Sequence, residues 1–411
     1  MRVNLTFLAL AALKTASVVA IDPPAEVPTD PAEALLELET LAESAYLEVT
    51  AGLGGPGTKK LRKRTGGTCT LSNLRIRREW GSLTSPQKTA YINAVKCLQS
   101  KTALTPSELA PGAKTRFDDF VATHINQTLT IHYTGNFHAW HRYYVWIYET
   151  ALRTECGYTG AQPYWDWAKT AVTGLANSPI FDGSATSLSG DGEFVPGKPN
   201  LELGGGLGLP PLILPPGTGG GCVTSGPFQD MVVNLGPVSL DLPGGVVGAN
   251  PDGPLAWNPR CLKRDLTDAI NQRFANATSV LRNIVLPSNA ATFNTMMEGV
   301  PGSGEMGVHG GGHYAMGGDP GRDVFVSPGD PVFYLHHAAV DRVWWLWQLL
   351  SPSTRMNGPT AIAGTRTMMN MPPSDPASIE DYVDLGFAGG VPTKIKDLLV
   401  STGGPLCYVY L

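Results

Sequence analysis

The distribution of histidine constrains this chain more strongly than any other feature of its sequence. All eight histidines lie in two short windows, and the 167 residues between the windows contain none. In chain order the windows hold His124, His132, His138 and His141, then His309, His313, His336 and His337. Because random placement would scatter histidines along the 411 residues, we expect the fold to gather each window for one task.

The spacing within the windows is typical of metal ligands. His309 and His313 are four positions apart, so on a helix both rings would point the same way. The other candidates come from separate backbone directions: His124, His132, His141 and His337. Each window therefore offers three imidazoles that can surround one metal ion.

The type of ligand indicates copper. Zinc hydrolases usually combine imidazole with a carboxylate or a thiolate, and carboxylate-bridged di-iron bundles need Glu-x-x-His pairs. Neither pattern is evident here, whereas all-imidazole sites suit copper, which changes its oxidation state readily. We therefore predict two copper ions as cofactors, which together can supply two electrons to O2. A zinc hydrolase remains an alternative.

Two strings around these histidines resemble the copper signatures of tyrosinases and catechol oxidases, the polyphenol oxidase family. They are FHAWHRYY, residues 137–144, and DPVFYLHHAAVDRVW, residues 330–344. The resemblance covers most of residues 69–350 and is closest to short secreted fungal enzymes without a C-terminal shielding domain. It implies a mainly α fold in which a four-helix bundle core holds the dicopper centre, with long irregular loops and few short strands.

Position by position, the resemblance implies six copper ligands. They are His124, His132 and His141 at the first copper ion, CuA, and His309, His313 and His337 at the second, CuB. In the His336–His337 pair the second residue is the ligand, and His336 is expected to lie beside the substrate entrance. His138 stands where the family usually has an apolar residue, and a ligand role for it is kept as an alternative.

The resemblance also implies catalytic roles for residues near the metals. In relatives that hydroxylate monophenols, an asparagine after the first CuB histidine and a nearby glutamate hold a water that acts as base. Here Gly310 occupies the asparagine position, and we expect Glu298 to be the glutamate. Val324 falls where short relatives limit access to CuA, although an ordinary buried valine would look the same. Close packing of the helix is the alternative explanation for Gly310.

These features predict oxidation of o-diphenols to o-quinones with O2, with poorer activity on monophenols. The predicted substrates are small phenols, and the sequence leaves open whether o-aminophenols are among them. It does not predict the oligomeric state. Two alternatives share the same metal centre. One is an oxygen-binding protein of the hemocyanin type, and the other is a tyrosinase with strong monophenolase activity.

Two supporting features concern how the ligands are held. Some relatives carry a cysteine two residues before the middle CuA ligand, bonded through sulfur to a histidine. Here that position is Thr130, so we expect packing alone to hold His132. Asp341 lies four residues after His337 and is expected to pair with Arg142, which would join the two helices that carry ligands. A surface charge pair is the alternative.

The N-terminal region predicts export and processing. Residues 1–20 have the form of a signal peptide, with Arg2 before a short apolar run. Residues 21–64 are predicted to be an acidic propeptide that restrains the enzyme until a protease cuts at the dibasic site ending in Arg64, and a solvated linker is the alternative. Residues 65–411 would then form one catalytic domain. The net charge of −5 gives no reason to expect nucleic acid or a membrane surface as partner.

Cysteines and sequons agree with a secreted protein. The six cysteines form an even set with no CxxC spacing, which in an oxidising compartment predicts disulfides. Of the 15 possible pairings we expect Cys69–Cys407, Cys97–Cys156 and Cys222–Cys261, with buried free thiols as the alternative. Sequons at Asn126 and Asn276 predict glycans, with Asn276 the expected site.

Local patterns predict where the helices lie. Apolar periodicity indicates helices over residues 32–49, 85–100, 113–127, 137–153, 262–286 and 331–350. Residues 184–259 are rich in glycine and proline, which predicts a long loop insertion with little regular structure.

Overall fold

A computed structural model of the protein describes residues 20–54, 69–204, 209–242 and 245–411. The predicted signal peptide, except for Ala20, and the predicted processing site at Arg64 lie outside the described residues. The helices are α1 Pro31–Gly54, α2 Ser85–Ser100, α3 Arg116–Ile131, α4 Phe137–Cys156, α5 Trp167–Thr173, α6 Asp268–Phe274, α7 Ala277–Val285, α8 Ala290–Glu298, α9 Gly307–Met316, α10 Val332–Leu349 and α11 Pro352–Arg355.

The strands are short and occur in pairs. They are β1 Arg75–Arg77, β2 Gly192–Phe194, β3 Leu201–Leu203, β4 Leu212–Leu214, β5 Gly220–Val223, β6 Val232–Val233, β7 Leu240–Leu242, β8 Val246–Gly248, β9 Arg260–Cys261, β10 Tyr382–Val383, β11 Thr393–Lys394 and β12 Tyr408–Tyr410. Strands β1 and β12 are parallel, and the other pairs, β2–β5, β3–β4, β6–β9, β7–β8 and β10–β11, are antiparallel. The prediction of a mainly α protein with few short strands is confirmed.

The core is helical and is built around α4 and α10. Helix α4 packs against α2, α3 and α10, and α10 packs in turn against α7 and α9. All residues of α10 are buried, including its three tryptophans, Trp344, Trp345 and Trp347. Helix α10 is therefore the central helix of the fold, and the histidines at its start lie far from solvent.

Capping residues explain where the site helices begin and end. Thr115 forms a capping box with Asp118, so α3 starts at Arg116, three residues later than predicted. Gly157 adopts a left-handed conformation, with φ of 68°, and ends α4 as glycine commonly does. The helix predicted over residues 262–286 is broken, because Asn276 caps a new helix by accepting a hydrogen bond from the Ser279 amide.

The disulfides and the loop insertion agree with the predictions from the sequence. All three expected pairs form, namely Cys69–Cys407, Cys97–Cys156 and Cys222–Cys261. Within its described residues, 184–204, 209–242 and 245–259, the insertion contains the short strands β2 to β8 and no helix. Helix α8, which follows it in the chain, was not predicted from the sequence.

The N-terminal segment, residues 20–54, packs onto the rest of the protein. Helix α1 contacts α5, α7, α10 and β12, and one face of it is buried. That face consists of Ala34, Leu38, Leu41, Ala42, Ala45 and Val49. The amide of Ile21 donates to the Leu349 carbonyl at the end of α10, over 3.0 Å. Among the described helices, none combines the length and apolar character needed to cross a membrane.

Candidate metal centre

The first histidine window forms a compact group. His124 lies on the buried face of α3, His132 directly follows the last residue of that helix, and His141 lies in the second turn of α4. Their potential ligand atoms all lie within 4.8 Å of one another. The three rings thus come from the body of one helix, its end, and a neighbouring helix.

The second window forms a matching group. His309 and His313 lie one turn apart on α9, and His337 lies near the start of α10. Together with His336 their potential ligand atoms also lie within 4.8 Å of one another. The Nε2 atoms of His313 and His337 are only 3.3 Å apart, so these two rings point at the same spot.

The two groups are neighbours. The rings of His141 and His337 stack with centroids 4.4 Å apart, and those of His132 and His309 lie 6.0 Å apart. Phe333, one turn before His337, lies against rings of both groups, with centroids 5.4 Å from His124 and 4.1 Å from His337. The arrangement can hold two metal ions side by side in an apolar surround.

Backbone carbonyls orient four of these rings. The Nδ1 atoms of His124, His132, His141 and His313 lie 2.8–3.0 Å from the carbonyl oxygens of Phe325, Thr128, Phe137 and Gly321, respectively. Because a carbonyl oxygen only accepts, each Nδ1 must carry the proton, which leaves the lone pair on Nε2. The expectation that packing alone holds His132 is wrong, since Thr128 also fixes its ring.

Three of the Nε2 atoms lack partners within the described protein. Those of His124, His141 and His309 are buried and make no hydrogen bond. Buried polar atoms are rarely left unpaired, so three such atoms aimed into two small groups indicate missing ligands. Metal ions would satisfy them, because carbonyls that accept from the other ring nitrogen commonly orient metal-binding imidazoles in this way.

Burial keeps the imidazoles neutral. It lowers the pKa of His132 and of His313 to about 4. Two predicted ligands remain in each group, and burial together with the neighbouring histidines lowers their pKa values well below the ordinary value of 6.5. They are His124, His141, His309 and His337. Neutral rings retain the lone pair that a metal ion needs, and proton competition for that lone pair is weak at neutral pH.

His336 differs from its neighbours in the second group. Its Nδ1 lies 3.1 Å from the indole Nε1 of Trp167, which can only donate. Nδ1 is therefore the acceptor, the proton is on Nε2, and no lone pair is left for a metal. The ring has no exposed surface, so His336 is a buried neighbour of the group. Gly312 makes this packing feasible, because a Cβ there would overlap the His336 ring.

Comparison with known proteins decides the family. Residues 114–350 match the family profile described as the common central domain of tyrosinase, which spans both histidine groups. This chain belongs to the tyrosinase family. It is therefore a copper-dependent oxidoreductase, and the imidazole-only donor set with its unpaired Nε2 atoms fits the dicopper centre that the family implies.

Individual relatives of this tyrosinase-family chain are fungal. It is 40% identical over 336 residues to "Tyrosinase P" of Aspergillus terreus, covering 82% of this chain and 91% of that protein. It is 40% identical over 358 residues to "N-acetyl-6-hydroxytryptophan oxidase ivoB" of Emericella nidulans, covering 83% and 93%. A solved mutant of the polyphenol oxidase of Thermothelomyces thermophila is 47% identical, with a TM-score of 0.81 over 92% of this chain and 98% of that one.

Glu298 lies beside the first group of this tyrosinase-family site. Its Oε1 accepts a hydrogen bond of 2.6 Å from the amide of Tyr133, the residue after His132. The Tyr133 hydroxyl donates to the Glu298 carbonyl over 3.1 Å. Burial raises the pKa of the Glu298 carboxyl to about 8. Tyr133 was not predicted as a site residue, and no feature of the sequence around it indicates this contact.

Two other predicted residues flank the histidine groups. Val324 is half-buried and precedes Phe325, whose carbonyl accepts from His124. Gly310 is half-buried on α9, and a Cβ there would lie 3.1 Å from the Cβ of Met306, one turn earlier in the chain. The three atoms nearest to that position all belong to the Met306 side chain.

His138 lies apart from both groups. It belongs to neither set of convergent nitrogen atoms. Its ring stacks on the indole of Trp344 with centroids 5.1 Å apart and contacts Phe293 at 5.0 Å. Burial lowers its pKa to about 3. These contacts describe a core histidine and give no support to the alternative that His138 is a ligand.

Proposed function

We propose that this chain is a secreted polyphenol oxidase that oxidises o-diphenols to o-quinones with O2 as the acceptor. The observation that carries the proposal is the pair of buried histidine groups, whose carbonyl-bound Nδ1 atoms leave Nε2 free in four rings. In the proposal His124, His132 and His141 hold CuA, and His309, His313 and His337 hold CuB. Bound copper would supply one-electron redox chemistry, and the overall reaction would convert two diphenols and one O2 into two quinones and two molecules of water.

The protein would contribute a fixed, apolar and neutral surround. The six rings carry no charge at neutral pH, because burial lowers their pKa values. Phe333 lies against rings of both groups and helps to keep water from them. In this proposal Val324, next to the Phe325 carbonyl that orients His124, narrows the approach to CuA. His336 would support the second group from behind, held by Trp167.

Diphenols are the proposed substrate class because the site lacks one of the two side chains that would hold a water acting as base. A monophenol must lose its proton before hydroxylation, and a positioned base speeds such a step by roughly 10²–10⁴-fold. Glu298 is present, but Tyr133 already donates to it, and Gly310 offers no side chain to orient a water. A diphenol is more acidic and can bind through two oxygens, so it needs this base less.

The proposal includes the processing of the chain. Residues 1–20 would be removed as a signal peptide, and a protease would cut after Arg64 to separate the acidic propeptide, residues 21–64, from the catalytic domain, residues 65–411. Three disulfides support an oxidising compartment. The substrates would be small phenols and O2, without nucleic acid or membrane partners.

The test is oxygen uptake by the copper-loaded full-length protein. The panel should contain catechol, the matching monophenol and o-aminophenol, together with an N-acetylated hydroxytryptophan, which the name of one relative suggests. We expect about two copper ions per chain and the fastest turnover on catechol. Reversible oxygen binding without catechol turnover would favour the oxygen carrier, and equal initial rates on monophenol and diphenol would favour a tyrosinase with strong monophenolase activity.

A further inference from the structure

A cavity of about 220 Å³ lies in the loop insertion, and no histidine is among its described lining residues. We call it the loop cavity. Its walls come from the insertion itself and from the chain around residues 263–265 and 318–322. Its lining includes Val195, Leu201, Leu240, Leu242, Lys263 and Arg322. The oxidation proposed above makes no use of this cavity.

Arg322 gives the loop cavity a positive group that has a long ion pair but no hydrogen bond in the described chain. Its side chain is only 11% exposed, and its nearest carboxylate, that of Asp265, is 3.8 Å away, beyond hydrogen-bond distance. The buried Nε of Arg322 has no hydrogen-bond partner in the described part of the chain. A buried guanidinium is normally bound through several of its five donors. This one therefore lacks an acceptor.

The acidic groups in the wall do not supply that acceptor. Asp265 is engaged by the Lys198 ammonium in a short ion pair. Asp319 is held by two parallel bonds from Arg260, of 2.7 and 2.8 Å. Lys263 is half-buried and makes no side-chain hydrogen bond within the ranges that the structure describes. Asp241, between two of the lining leucines, feels the charge of Arg322 but is engaged by the Tyr314 hydroxyl. The described lining thus carries three cationic side chains against two carboxylates.

The remaining walls are aliphatic. Val195, Leu201, Leu240 and Leu242 line the cavity, and no aromatic side chain does. Its volume is below the roughly 300–1,000 Å³ of pockets for drug-sized ligands. We propose that the loop cavity binds a small aliphatic carboxylic acid, with the carboxylate on Arg322 and Lys263 and the alkyl chain against the leucines. A planar guanidinium suits a carboxylate because it can donate two parallel bonds.

The experiment is titration calorimetry of the copper-loaded full-length protein with octanoate. We expect saturable binding of one octanoate per chain, and no binding of octan-1-ol or methyl octanoate, which share the chain but lack the charge. Arg322→Met should weaken octanoate binding about tenfold or more, as expected for the loss of a charge-assisted contact. Lys263→Met should weaken it less, because an ammonium is a point charge and lacks the two parallel donors of a guanidinium.

Two controls separate the loop cavity from other sites. Arg282→Met removes an exposed arginine on α7 and should leave the affinity unchanged. Thermal unfolding and copper content show whether the Arg322 variant is folded, and Lys263→Met tests the same cavity if it is not. Absence of octanoate binding, or equal affinity in the wild type and both cavity variants, would overturn the proposal. Competition with catechol that survives Arg322→Met would place the acid at the metal centre and overturn it as well.

Discussion

Arg142 on α4 and Asp341 on α10 form a buried ion pair, with Nε of the arginine 2.6 Å from Oδ1 of the aspartate. The arginine follows His141 directly, and the aspartate lies one turn after His337, so the pair joins the helices that carry a histidine of each group. The expected pairing of these two residues is confirmed. It is a core pair, because neither side chain is more than 2% exposed.

Removing the Asp341 carboxylate should destabilise the protein strongly. Its Oδ2 also accepts from the hydroxyls of Tyr408 and Tyr410 and lies 3.4 Å from Arg77. Asp341→Ala leaves the buried Arg142 without its acid and leaves Arg77 with Glu149 alone, and breaking buried pairs costs about 3–5 kcal/mol. Urea unfolding measures this loss. Asp375→Ala, at an exposed ion pair, is the matched control and should change stability by less than about 1 kcal/mol.

The same carboxylate predicts a dependence of stability on pH. Burial acts to raise the pKa of Asp341, but Arg142 and Arg77 outweigh it, so the pKa lies below the ordinary value of 3.8. A carboxyl whose pKa is lower in the folded state stabilises the protein above its unfolded pKa and loses that effect as pH falls through the folded one. We expect wild-type stability to drop below pH 3.8, with a smaller drop in Asp341→Asn. Parallel pH profiles would contradict this assignment.

Replacing one ligand should remove one copper ion. In His309→Ala we expect copper content to fall from two ions per chain to about one and catechol oxidation to be lost. Far-UV circular dichroism should be nearly unchanged, because the helical core and the disulfides remain. His138→Asn replaces another buried histidine, outside both groups, and should retain both copper ions. Metal analysis by mass spectrometry decides, and a His309→Ala protein that keeps both ions would show that the CuB assignment is wrong.

Gly310→Asn should shift the enzyme towards monophenols. The new side chain could orient a water near Glu298, and the atoms nearest to a Cβ at this position belong to the flexible Met306. We expect the ratio of monophenol to diphenol initial rates to rise by about tenfold, part of what a positioned base can supply. Gly310→Ala controls for the added Cβ without the amide. An unchanged ratio in the asparagine variant, or an equal rise in both variants, would argue against this explanation of substrate preference.

Cleavage after Arg64 should not by itself release the N-terminal segment, residues 20–54. Leu38 is 1% exposed, and each fully buried leucine contributes roughly 1.5–3 kcal/mol to docking. We expect both fragments to co-elute in gel filtration after cleavage, and Leu38→Asp to separate them. Leu36→Asp, at a 66% exposed position of the same helix, is the control. Oxygen uptake should rise only when the segment leaves, and equal catechol rates with and without it would show that the segment does not restrain the enzyme.

The two sequons should differ in glycan occupancy, in the order opposite to the one the sequence suggests. Asn276 is half-buried, and its side chain caps α7 and donates to the Gln272 carbonyl over 2.6 Å. Asn126 is exposed on α3. We therefore expect Asn126 to carry the glycan when the chain is secreted by a fungal host. Peptide mapping after glycosidase treatment measures occupancy, and a modified Asn276 beside an unmodified Asn126 would contradict the structure.

Much of the site could be predicted because its information is local. The i and i+4 spacing of His309 and His313 and the two signature strings need only short stretches of chain, and the structure brings both windows together. The hydrogen bonds to the carbonyls of Phe325 and Gly321 could not be predicted, because every residue has a main-chain carbonyl and its use as an acceptor requires no particular residue type. The contact of Glu298 with Tyr133 joins residues far apart in sequence, so no local pattern predicts it. The helix break at Asn276 was missed because the apolar pattern continues through the residue that caps the next helix.

The four carbonyl acceptors also bear on how such an enzyme can change over evolutionary time. A main-chain oxygen is present whatever side chain its residue carries, so substitutions that preserve the backbone path leave the proton on Nδ1 and the free electron pair on Nε2. Residues around the substrate can then vary without endangering metal uptake. The range of phenols that such a centre accepts can therefore change during evolution while the metal ligands keep their positions.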